Sequence, residues 1–132
     1  MTTARRFTFV IVILAALAPL AANAARTAPV QNLENRTVTS TSEVTLKDVE
    51  NAIIMAARNR GWILKRIDTG HLLATLDIRS HQAVVDIYFD ETQYSIMYKS
   101  SVNLDYEDGE IHRNYNSWIQ NLDRDIQANL PL

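Results

Sequence analysis

The sequence predicts an α+β fold, a two-layer sandwich in the order helix, four-stranded antiparallel meander, helix (αββββα). Two segments with apolar residues at helical spacing, one from residue 46 and one after residue 110, bracket a stretch in which apolar and polar residues alternate. No internal repeat or low-complexity tract interrupts this order, and 132 residues leave room for one small domain.

The chain opens on a segment of another kind. Arg5 and Arg6 precede an uncharged apolar run over residues 7–20 that ends in Ala22-Asn23-Ala24. A positive start, a short apolar centre and a small-x-small site describe a secretory signal peptide over residues 1–24, cut after Ala24. At ~1.5 Å of rise per residue the run spans about 21 Å, short of the ~30 Å hydrocarbon core, so no transmembrane anchor is expected. Phe7, Thr8 and Phe9 after the paired arginines match the twin-arginine export pattern imperfectly, which favours the general secretory route and demands no cofactor. The expected location is periplasmic or secreted.

Cysteine is absent, which excludes a disulfide framework and the thiol that a bacterial lipid anchor requires. The fold must therefore rest on its apolar core. Removing Arg5 and Arg6 with the signal peptide turns 13 basic against 15 acidic residues into 11 against 15, a charge of about −4. Nucleic acid and anionic lipid are poor partners for such a surface.

Residues 25–42 are polar, rich in Thr, Ser and Asn, and carry Pro29, so they read as a flexible leader, with a short strand over residues 36–39 as the alternative. The domain proper is placed at residues 43–132. Thr45-Leu46-Lys47-Asp48 has the form of a capping box with Asp for Glu, and Leu46, Val49, Ile53 and Ala56 or Ala57 follow at helical spacing. Arg58 and Arg60 suit the negative end of that helix, and Gly61 stops it. The first helix spans residues 46–60.

Four strands are expected next. In the second, Leu72, Ala74, Leu76 and Ile78 share one face; in the third Ala83, Val85, Ile87 and Phe89 do; in the fourth Tyr94, Ile96 and Tyr98 do. Pairing Ile78 with Ala83 and Phe89 with Tyr94 keeps every one of these inward, which fixes an antiparallel meander. In the first strand, residues 62–67, Trp62 and Leu64 compete with Ile63 and Ile67 for the inner face. The acids Asp105, Glu107, Asp108 and Glu110 then precede a second helix with Ile111, Tyr115, Trp118, Ile119, Leu122 and Ile126 as its apolar stripe and Asp108 as its cap. Both helices are expected on one face of the sheet.

The run from Ser100 to Tyr106, followed by Ile111-His112-Arg113-Asn114-Tyr115-Asn116-Ser117-Trp118-Ile119-Gln120-Asn121-Leu122, resembles a family of small exported bacterial proteins and lipoproteins of uncharacterised function. Its most recognisable element is Tyr-Asn-x-Trp-Ile-x-x-Leu on the second helix, and the likeness extends over about residues 45–130. The resemblance implies an envelope location and transfers no catalytic residue. Lacking the lipidated cysteine, this chain does not inherit the family's membrane anchoring.

Candidate chemistry is sparse. His71 and His81 sit at opposite ends of one strand, about 30 Å apart at ~3.3 Å per residue, so they cannot share an ion and read as solvated turn residues. The acidic cluster fails the spacing of a calcium loop, with Leu104 and Tyr106 where the first ligands belong. Asp77 and Asp86 lie diagonally on the outer sheet face in the register above, where no burial raises a carboxyl pKa, so cross-strand charge pairing is their role. No catalytic, cofactor-binding or metal-binding residue is assigned. Two surfaces exceed what packing needs: Val84, Tyr88 and Met97 on the outer face of the sheet, and Arg113, Asn114 and Asn116 on the second helix. The expected function is a non-enzymatic binding or accessory module for another envelope protein or a cell-wall component. The alternative is a small periplasmic enzyme or metal-binding protein whose site forms only in three dimensions.

Overall fold

The computed structural model describes residues 10–13 and 26–132. The expected signal peptide and its cut after Ala24 lie outside the described residues, apart from 10–13. The elements run β1 (Thr27–Pro29), β2 (Leu33–Thr37), α1 (Leu46–Asn59), β3 (Ile63–Asp68), β4 (His71–Ile78), β5 (His81–Phe89), β6 (Gln93–Val102), β7 (Glu110–His112) and α2 (Arg113–Asn129). An antiparallel sheet in the order β2-β6-β5-β4-β3 is flanked by the two helices, and β1 pairs separately with β7. The helix, meander, helix order is as the sequence predicts, with three further strands.

The capping box forms as written. Thr45 Oγ1 accepts from Asp48 N at 3.1 Å, and Asp48 Oδ2 accepts from Thr45 N at 2.9 Å, holding the Asp48 carboxyl below its usual range. Gly61 leaves α1 at φ +85°, the left-handed turn that a side chain resists. Trp62 N then donates back to Ala57 O at 2.9 Å, which tucks the indole into the core. That decides the competition on β3: Trp62 is buried and Leu64 packs on the core, while Ile63 and Ile67 are 67% and 47% exposed. Ala52, Ala56 and Ala57 are buried on α1, small enough to let α2 approach closely.

The β5–β6 hairpin has the expected register, with Phe89 opposite Tyr94, Ile87 opposite Ile96 and Val85 opposite Tyr98. The β4–β5 hairpin does not. Ile78 pairs with His81 rather than Ala83, Leu76 with Ala83, and Leu72 with Ile87, a shift of two residues. Arg79 adopts φ +55° and allows a two-residue turn tighter than a side-chain pattern can announce. A slip of two leaves every residue on its face, so Leu72, Ala74, Leu76, Ala83, Val85, Ile87, Tyr94 and Ile96 are all buried as expected.

The leader expected at residues 25–42 is instead a strap with two strands. It runs between the edge of β6 and α2, held by the polar side of that helix. Asn116 Oδ1 accepts from Gln31 N at 3.0 Å and its Nδ2 donates to Pro29 O at 2.9 Å. Gln120 donates to Gln31 Oε1, Asp123 takes Arg36 through both carboxylate oxygens, and Gln127 donates to Thr37 O. Ser40 and Ser42 reach the carbonyls of Pro131 and Leu132. None of residues 26–44 is fully buried, so the strap leaves no apolar period to read; its order comes from backbone and side-chain hydrogen bonds, with Val30, Leu33 and Val38 packed at the margin of the core.

The second helix starts later than expected. β7 begins at Glu110, the last of the acids, and His112 rather than Asp108 caps the helix, its Nδ1 accepting from Asn114 N at 3.2 Å. Asp108 lies in the preceding turn at φ +50°, where Glu107 and Glu110 bond each other's backbone at 3.0 and 2.9 Å. Tyr115, Ile119, Leu122 and Ile126 are buried, whereas Trp118 is half-buried at the margin rather than enclosed. The Tyr115 ring meets Tyr98 edge-on at 5.6 Å. Its hydroxyl is buried without a hydrogen-bond partner among the described residues, and burial pushes the phenol above its ordinary range. Tyr115→Phe should therefore leave stability unchanged or raise it by up to about 1 kcal/mol in urea unfolding, since an unpaired buried hydroxyl is a net penalty; a loss above about 1 kcal/mol would mean the hydroxyl has a partner.

Candidate functional site

With the helices on one face, the other face of the sheet carries no helix among the described residues. Alternation along β4, β5 and β6 turns His71, Leu73, Thr75, Val84, Asp86, Tyr88, Ser95 and Met97 to that side, opposite the buried rows. The registers align Leu73, Asp86 and Met97 across the three strands, and His71, Tyr88 and Ser95 in the next row. Val84 sits opposite Thr75 and Ser100. Val84 and Met97 are half-buried among their neighbours, while Tyr88 is 46% exposed.

Tyr88 is not a loose surface side chain. The His71 ring stacks on it with centroids 4.3 Å apart. His71 Nε2 in turn lies 2.7 Å from Asp86 Oδ1, and Lys99 Nζ is 3.6 Å from Asp86 Oδ2. Lys99 occupies an irregularity of β6, between Tyr98 opposite Val85 and Ser100 opposite Val84. The chain Lys99, Asp86, His71, Tyr88 thus fixes an aromatic ring in place by stacking and hydrogen bonding. A hollow of about 220 Å³ bounded by Gly70, Tyr88, Phe89, Tyr94 and Ser95 adjoins the ring.

The histidines have partners, contrary to the solvated turn residues expected. Besides His71, His81 Nδ1 lies 2.6 Å from Asn103 O, and His112 is the α2 cap. Among the described residues, no three His, Cys, Asp or Glu side chains come together as a metal-binding group. The acids after β6 line a hollow of about 520 Å³ with Arg26. Asp77 is not diagonal to Asp86: the shifted register places it opposite Gln82, whose amide donates to it at 2.9 Å.

The second candidate surface is divided. Arg113 and Asn114 are exposed on the first turn of α2, in the helical layer and away from Tyr88. Asn116 is taken up by the strap. Sequence reasoning missed Gln120, Asp123 and Gln127 on the same stripe, although their spacing from Asn116 by 4, 7 and 11 residues is a legible helical pattern. It also took Tyr94 for simple core. Its hydroxyl donates to Asp123 Oδ1 at 2.5 Å and accepts from Gln127 at 3.0 Å, and burial together with the Asp123 carboxylate pushes the phenol above its ordinary range.

No protein-family model, curated protein or solved structure matches the chain. The functional reading rests on the residues themselves.

Proposed function

We propose that the protein is an exported, non-enzymatic contact module that binds another envelope protein or a cell-wall component through the open face of its sheet. The observation that carries this reading is the Tyr88 ring stacked on His71, on the sheet face that carries no helix among the described residues, opposite the buried rows. An aromatic ring already held in one orientation loses little conformational entropy on binding. Tyr and Met are common anchors of contact surfaces, and Ile63 opposite Thr75 widens the apolar area toward β3. The net negative charge disfavours nucleic acid as a partner, and the expected signal peptide over residues 1–24 supports an exported location.

One observation favours a second reading, a small enzyme: Asp86 orients His71 as an acid orients a general base. The His71 ring, however, is stacked against Tyr88 and its side chain is only 20% exposed, an arrangement that suits support of Tyr88 better than access by a substrate.

Replacing Tyr88 and Met97 together with Ala tests the contact reading. The double variant should keep its thermal midpoint within a few degrees, because neither side chain belongs to the buried rows. It should no longer retain the protein or purified cell wall that the wild-type chain retains from solubilised envelopes. Full retention would overturn the proposal.

A further inference from the structure

The groove occupied by the strap is built by the rest of the domain. One wall is the edge of β6, where Ser95 Oγ accepts from Asn35 N at 3.0 Å and Tyr98 N donates to Asn32 Oδ1 at 2.8 Å. The other is the amide and carboxylate stripe of α2. At its centre Asp123, 14% exposed, already accepts from Tyr94, and Arg36 supplies the countercharge at 2.8 Å. In the same wall Gln127 Oε1 is buried without a hydrogen-bond partner among the described residues. An empty groove would leave Asp123 without its countercharge and a sheet edge unpaired, so it suits an extended occupant with a cation at the position of Arg36.

The occupant is held at the margin of the core. No residue from 26 to 44 is fully buried, but Val30, Leu33, Val38 and Val44 pack against the core, so a displaced strap must reseat in an equivalent groove. The connector to α1, residues 38–45, forms neither helix nor strand, and Thr39, Thr41, Ser42 and Glu43 in it are exposed. We propose that the strap is exchangeable between copies: the strap of one chain seats in the groove of a second, giving a strand-exchanged dimer in which Arg36 of one copy meets Asp123 of the other. A second copy is the occupant because its strap carries the same Arg36, Asn35, Gln31 and Pro29 that the groove binds here. A short connector keeps the intrachain strap at an effective concentration on the order of mM, so the exchanged form needs high protein concentration or loss of the intrachain pair.

Charge reversal separates the two modes. Arg36→Asp alone and Asp123→Arg alone each place like charges in their own groove, and in a mixture opposite charges meet only across copies. Equimolar variants unfolded together and refolded at micromolar concentration should run as a 1:1 heterodimer at twice the monomer mass by light scattering. The chain carrying both changes should return to monomer. Two folded variants that stay monomeric when mixed would overturn the proposal. Should either variant fail to fold even on mixing, a fluorescent peptide of residues 26–42 decides the matter. Refolded with the wild-type mature chain, it should be taken up with a rise in anisotropy, competed by unlabelled peptide, and bound at least about tenfold more weakly as Arg36→Asp. Absence of uptake would equally overturn strand exchange.

Discussion

A chain shortened to residues 43–132 should lose roughly 3 to 6 kcal/mol of stability relative to a chain of residues 26–132, a fall of about 12 °C or more in Tm. The amides of Asn116, Gln120 and Gln127 each lose a strap partner, at about 1 kcal/mol apiece. The Arg36 pair adds little, since its guanidinium side is 46% exposed and water screens it. The larger effect is what remains uncovered: the β6 edge beside Leu33 and the margin of the core under Val30 and Val38. Thermal unfolding followed by circular dichroism measures the difference. A change under about 1 kcal/mol would show that the domain is complete without the strap.

Gly70→Ala should lower stability by roughly 2 to 4 kcal/mol. Gly70 ends the turn between β3 and β4 at φ +73°, a conformation that an L side chain resists by about 1 to 2 kcal/mol. A Cβ there would also stand 2.7 Å from Phe89 O, a backbone atom that cannot rotate away. Phe89 N donates to Gly70 O at 2.9 Å, so separating the two chains to relieve the contact would weaken that bond and shift His71 against Tyr88. Urea unfolding and the near-ultraviolet dichroism of the tyrosines should change together. An unaffected variant would mean that the turn relaxes freely.

The meander and the helices were legible because they obey simple periods. Alternation placed Ala83, Val85 and Ile87 inward and Val84, Asp86 and Tyr88 outward, and Thr45 with Asp48 marked the helix start by its chemistry. The strap was illegible for the opposite reason: it is held by hydrogen bonds to side chains on α2 and to the edge of β6, with Val30, Leu33 and Val38 too irregularly spaced to show a period. Asp108 looked like a cap because acids favour helix starts, but β7 is inserted between it and the helix, and a strand of three residues is too short for alternation to announce.

The site was half readable. Tyr88 and Met97 follow from alternation, which a two-residue slip does not disturb. His71 does not, because the pairing expected from Ile78 and Ala83 would have set Leu73 beside Tyr88. The tight turn at Arg79 and Ser80 moves His71 opposite Tyr88 instead, and only then do His71, Asp86 and Lys99 support the ring. Turn geometry, which depends on the backbone of two residues, decides the chemistry of a row several residues away.

Site-specific photo-cross-linking in the native envelope tests the contact surface most directly, with a photoreactive aromatic residue placed at position 88 and, in separate chains, at the exposed helical positions 113 and 124. The contact reading expects a discrete adduct at position 88, lost when Met97→Ala is added, and none at 113 or 124. Adducts at 113 or 124 with none at 88 would contradict it and move the surface to the helical layer.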